Sequence, residues 1–135
     1  MDCIFCKIAK GEIPARKIKE TEKSLAFLDA FPLTKGHSLV IPKKHYEKIH
    51  QMTKEDNSDL FETVKEIVTK IEKIANASLI AIHDGKESGQ EVPHVHVHII
   101  PRRSEDMAGP VHALFKHRPN PSDAEFDEIL SKLKE

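Results

Sequence analysis

The chain carries almost no net charge, no long apolar run and only two cysteines, and each shortage narrows what it can be. Lysine and arginine number 21 against 22 acidic residues, a formal charge of -1. That balance lacks the basic excess on which an electrostatic nucleic-acid binder depends, so no nucleic-acid partner is expected. No apolar stretch approaches the ~20 residues of a membrane span. The N-terminal Met1-Asp2-Cys3-Ile4-Phe5-Cys6 lacks a basic region followed by a signal core. No membrane partner and a cytoplasmic location are therefore expected. Internal repeats, low-complexity segments and linkers are also missing. A chain of 135 residues has the size of one domain that buries its own core. One domain over residues 1–135 is the expectation.

The two cysteines form a Cys-x-x-Cys pair, Cys3 and Cys6. A redox dithiol usually follows a strand, and nothing before Cys3 supplies one. A disulfide here would close a very short loop and is unexpected in a reducing compartment. Half of a zinc site is the better reading, with two further ligands to be found among nine histidines.

What is present in abundance is histidine at one place. His94-Val95-His96-Val97-His98-Ile99-Ile100-Pro101-Arg102 puts three imidazoles at i, i+2 and i+4. The side-chain period of a strand is two, so the imidazoles project from one face and Val95, Val97 and Ile99 from the other. Neighbouring imidazoles then stand roughly 6.5–7 Å apart at Cα, close enough to act on one small ligand. On a helix they would be splayed around the axis.

Elsewhere the pattern is mixed. Residues 3–10 read as a short helix or turn ended by Gly11. Residues 15–20 and 24–29 suggest two strands, the second finishing on Asp29. His37-Ser38-Leu39-Val40-Ile41 reads as a third. Thr53, with Glu55 and Asp56 behind it, starts the clearest helix. Leu60, Phe61, Val64, Ile67, Val68, Ile71 and Ile74 supply its apolar face. Residues 78–82 read as a strand, 83–93 as a polar loop, and Ser122-x-x-Glu125 as the capping box of a last helix bearing Phe126, Ile129, Leu130 and Leu133. Strands joined largely by hairpins or loops, with one long helix between them, argue for an α+β fold on a mostly antiparallel sheet.

The histidine row resembles the motif His-φ-His-φ-His-φ-φ, φ apolar, that names the histidine triad (HIT) superfamily. The likeness extends to Cys3-Ile4-Phe5-Cys6-Lys7-Ile8, Gly11-Glu12-Ile13-Pro14-Ala15, Leu25-Ala26-Phe27-Leu28-Asp29, Gly36-His37, Val40-Ile41-Pro42-Lys43-Lys44-His45 and Gly89-Gln90, in order. It covers about residues 3–103, with 104–135 a C-terminal extension, and is nearest the nucleoside phosphoramidase-like branch with a zinc-type N-terminus. The resemblance implies a HIT-like fold: a five-stranded antiparallel meander with one long helix and a C-terminal helix, its sheet continued across a homodimer.

It also implies an activity, the cleavage of purine nucleoside phosphoramidates or related nucleotidyl compounds at the α-phosphorus through a nucleotidyl-histidine. His96 matches the nucleophile, His98 the group that steadies phosphate and leaving group, and His94 the residue whose carbonyl orients His96. Gln90 matches a phosphate-binding glutamine, Asp29 a ribose-binding carboxylate, and Phe5, Ile8, Phe27 and Val92 the nucleotide pocket. The implied metal is structural Zn2+ on Cys3, Cys6, His45 and His94. Two positions depart from the family pattern. His83 replaces a usual asparagine in the nucleotide site, and Glu91 stands where several relatives carry a hydroxyl residue that contacts phosphate.

Plainer readings accompany these. Asp29 also suits a strand-ending turn, Phe5, Ile8 and Phe27 a plain core, and Lys43-Lys44 a solvated pair. His37, His50, His112 and His117 read as packing or solvent residues. A catalytic metal on His94, His96 and His98 would need ligands whose outer Cα atoms lie roughly 13 Å apart. A dinucleoside polyphosphate hydrolase, or a nucleotide-binding or scaffolding protein with little turnover, are the competing functions.

Overall fold

The computed structural model describes residues 2–135. Its elements are α1 (Ile4–Ala9), β1 (Lys17–Glu20), β2 (Ser24–Leu28), β3 (Ser38–Pro42), α2 (Lys54–Ile71), β4 (Ala77–Ile82), β5 (Val97–Arg102) and α3 (Asp123–Lys134). The five strands form one antiparallel sheet in the order β1-β2-β3-β5-β4. It departs from a simple meander at one point. After β3 the chain crosses through α2 to the edge, lays down β4, and returns to place β5 between β3 and β4.

Burial on both faces explains why β2 and β3 read as continuous apolar runs. Ala26, Val40, Val97 and Ile99 form one face, packed on Leu60, Val64, Ile67 and Ile71 of α2. Leu25, Phe27, Leu39 and Ile41 form the other, covered by Phe5 and Ile8 of α1. Register carries this division into β5: Val40 pairs with Ala26 and Val97, and Leu39 with Phe27 and His98. The pleat therefore sets His98 on the α1 side.

Thr53 caps α2, its hydroxyl accepting from the Asp56 N–H at 3.1 Å, with Glu55 and Asp56 in the first turn. The buried stripe is narrower than the sequence pattern suggests. Phe61 is 39% exposed, since it is one residue off the i, i+4, i+7 row, and Ile74 lies beyond the helix end at 52% exposure. Gly36, at φ 95°, permits the turn into β3; a Cβ there would meet Ile74 Cδ1 at 2.5 Å. The last helix forms over its capping box, Ser122 accepting from the Glu125 N–H at 3.2 Å, but buries none of its apolar residues. No helix among the described residues is long and apolar enough to cross a membrane.

Ile67, fully buried under the sheet, separates from Phe61 in a simple test. In urea unfolding, Ile67→Ala is expected to cost about 2–5 kcal/mol, and Phe61→Ala less than half as much as Ile67→Ala.

Candidate active site

The histidine row begins before the strand that carries it. Pairing in β5 starts at Val97, and the segment 94–96 runs ahead of the ladder. A bend follows Pro93, and the Val95 N–H donates to the Tyr46 carbonyl at 2.7 Å instead of joining β3. Alternation nonetheless survives. Val95, Val97 and Ile99 are buried in the α2-facing core, so all three imidazoles face the α1 side.

Each imidazole has its own setting. His96 Nδ1 lies 2.7 Å from the His94 carbonyl oxygen. A carbonyl only accepts, so the proton sits on Nδ1 and the Nε2 lone pair is left toward the cavity. The ring packs edge-on against Phe5 at 4.9 Å and His98 at 5.0 Å between centroids. Burial holds the His96 pKa below its ordinary value, against the opposing bond to the His94 carbonyl.

His98 is set by His37, a residue that reads from the sequence as packing or solvent-facing. The Leu33 N–H donates to His37 Nδ1 at 3.1 Å, and His37 Nε2 lies 3.0 Å from His98 Nδ1. With its Nδ1 accepting, His37 keeps its proton on Nε2 and donates it to His98 Nδ1. His98 must then carry its own proton on Nε2. Burial is the main cause of lowered pKa in both, bringing His98 to about 4. Register is what could have found His37, which stands two residues before Leu39, the partner of His98.

Asp29, His37 and His98 also place three donor atoms within 4.8 Å of one another. A metal on His37 Nε2 would need the proton on Nδ1, where the Leu33 N–H already points. The hydrogen-bond chain accounts for this group.

These histidines open on a cavity of about 480 Å³. Phe5, Ile8, Phe27 and Val92 supply an apolar wall, and Asp29, His83, Glu91, His96 and His98 line it as well. Asp29 sits just past the end of β2 and serves partly as the turn former, its Oδ1 accepting from the Phe31 N–H at 2.8 Å. Its Oδ2 is 3.6 Å from His37 Nε2. His83 is 5.4 Å from His98 between ring centroids. Gln90 is not among the lining residues. Its amide braces the loop, accepting from the Gly85 N–H at 2.8 Å and donating to the Glu47 carbonyl at 2.9 Å.

His94 faces the same side but stays out of the cavity lining. Its Nε2 lies 2.8 Å from the Pro42 carbonyl, which fixes the proton there and leaves Nδ1 a free lone pair. Nδ1 is 3.3 Å from Cys3 Sγ, 3.6 Å from Cys6 Sγ and 3.2 Å from His45 Nδ1, while Cys6 Sγ is 3.3 Å from His45 Nδ1. The edges of a tetrahedral Cys2His2 zinc site are roughly 3.3–3.8 Å, from its usual bond lengths. The four donors therefore fit zinc, with no position left for substrate. Metal analysis is expected to find one zinc per chain, and its removal by a chelator to lower the melting temperature by on the order of 5 °C or more. An unchanged melting curve would remove the site from the fold's stability.

Residues 10–105 match the HIT domain family. A HIT-like protein of Methanocaldococcus jannaschii is 44% identical over 133 residues, covering 98% of each chain. An adenosine 5'-monophosphoramidase of Schizosaccharomyces pombe is 44% identical over 135 residues, covering 99% of this chain and 100% of its own. Among solved structures, a histidine triad nucleotide-binding protein from Candida albicans superposes with a TM-score of 0.84 at 34% identity. It covers 98% of this chain and 95% of its own.

Proposed function

This chain belongs to the HIT domain family, and from that premise we propose that it is a nucleotide hydrolase cleaving purine nucleoside phosphoramidates at the α-phosphorus. The similarity to the S. pombe adenosine 5'-monophosphoramidase over nearly the full length supports the substrate class. The observation that carries the chemistry is the bond from His96 Nδ1 to the His94 carbonyl, which leaves a neutral Nε2 facing the cavity.

The nucleoside lies against Phe5, Ile8, Phe27 and Val92, with Asp29 toward the ribose hydroxyls. His96 Nε2 attacks phosphorus, and the P–N bond breaks with its electron pair leaving on the amine nitrogen. That nitrogen takes up a proton from solvent as it departs, while His98 stays neutral and its Nε2–H donates a hydrogen bond to the phosphate. Water then attacks phosphorus, the P–Nε2 bond breaks, and His96 recovers its lone pair. The proton shed by water replaces the one carried off by the amine. His37 acts as a positioning residue, holding His98 in the tautomer that donates. Cys3, Cys6, His45 and His94 would hold a structural zinc, which would anchor the start of the row and supply no chemistry to the reaction.

The same reading takes the chain as one cytoplasmic HIT-like domain acting as a homodimer. Phe126, Ile129, Leu130 and Leu133 lie exposed along α3 in the single chain, an apolar stripe that a second copy would cover.

Incubation with an adenosine phosphoramidate, followed by rapid acid-free quenching and mass analysis, is expected to find AMP bound to His96. His96→Ala should lose about 10³-fold or more in kcat; full turnover in that variant would sink the mechanism. His37→Phe is expected to lower kcat by roughly tenfold or more with little change in KM. A change confined to KM would instead give His37 a role in binding.

A further inference from the structure

The fixed charges around the cavity are unusual for a site that handles phosphate. Two carboxylates, Asp29 and Glu91, line it, against Arg16 as the only lysine or arginine among the described lining residues. Asp29 is occupied, by the Phe31 N–H on one oxygen and by the neighbourhood of His37 on the other. Glu91 is exposed, and among the described residues no ion pair or hydrogen bond engages its side chain. Two residues before it, Gly89 is in van der Waals range of the His83 ring, where a Cβ would stand 3.5 Å from His83 Cδ2. His83, Gly89 and Glu91 thus line one rim of the cavity.

A leaving group expelled from phosphorus at His96 must be accommodated near this rim, because the apolar wall of Phe5, Ile8 and Phe27 takes the nucleoside. An anionic leaving group, such as a nucleotide or pyrophosphate, meets an unpaired carboxylate. A cationic one finds a partner.

We propose that Glu91 selects the leaving group, favouring nucleoside phosphoramidates whose amine carries a second, protonated amino group. This rests on the nucleotidyl-transfer reading of the site and specifies its substrate. Glu91 takes no proton in the reaction. The P–N nitrogen leaves as an amine with the proton that water finally supplies, and the remote ammonium stays protonated throughout. An exposed ion pair of this kind is worth about three- to fivefold in kcat/KM, and salt weakens it.

The test compares two isosteric amides of AMP, one formed with 1,3-diaminopropane and one with butylamine. Release of AMP is followed for the full-length protein and for Glu91→Gln and Glu91→Lys. The intrinsic difference between the two amines is common to all three proteins and cancels when their kcat/KM ratios are compared. The diamine-to-butylamine ratio is expected to be about three- to fivefold higher in the parent than in Glu91→Gln, lowest in Glu91→Lys, and to converge toward the Gln variant in about 0.5 M salt. Thermal melting confirms that the exposed substitutions leave the fold in place. Equal ratios in the parent and Glu91→Gln overturn the proposal while leaving the nucleotidyl-transfer reading intact. No AMP from either amide with the parent protein overturns that reading and this proposal with it.

Discussion

Burial of Val95, Val97 and Ile99 beneath α2 is the constraint from which the site follows. These side chains are at most 1% exposed and sit among Leu60, Val64 and Ile67. A slip of one residue would carry them to the opposite face and drive the imidazoles into an apolar core, at a cost no local contact could offset. The hydrophobic effect thus fixes the direction of three polar side chains. Once they face α1, hydrogen bonds with the main chain and with His37 divide their work.

His94 is the joint of that division. Its Nε2 meets the Pro42 carbonyl, its Nδ1 faces two thiols and His45, and its own carbonyl receives His96 Nδ1. One residue thus touches both the donor cluster and the His96 ring. Helix α1 doubles the connection. In six residues it supplies Cys6 to the donor cluster and Phe5 and Ile8 to the cavity wall, with Cys3 as its N-cap. Part of the pocket wall and part of the donor set thus share one short helix, a segment too brief to be stable by itself.

The C-terminal region follows a different logic. Arg102 donates to Asp106 and to the carbonyls of Ala108 and Gly109, while Asp106 accepts from the N–H groups of Arg103 and Ala108. This tight turn, with Met107 at φ 63°, directs the chain off the sheet. Beyond it the apolar side chains are exposed. Helix α3 is set by its caps and charges, and it buries none of its apolar residues in the single chain.

Local pattern alone determined the central α2 stripe, the capping box of α3 and the alternation of the histidine row, because each is a matter of spacing along one element. The Cys-x-x-Cys spacing likewise supplied two of the four donor atoms that gather at Cys3, Cys6, His45 and His94. Tertiary structure decided what depends on neighbours distant in the chain. It inserted β5 between β3 and β4, delayed the start of its pairing to Val97, and turned Gln90 into the loop. It also brought His37 to His98 across 61 residues, since only strand register sets which side chains share a face. Periodicity names a face; register names its occupants.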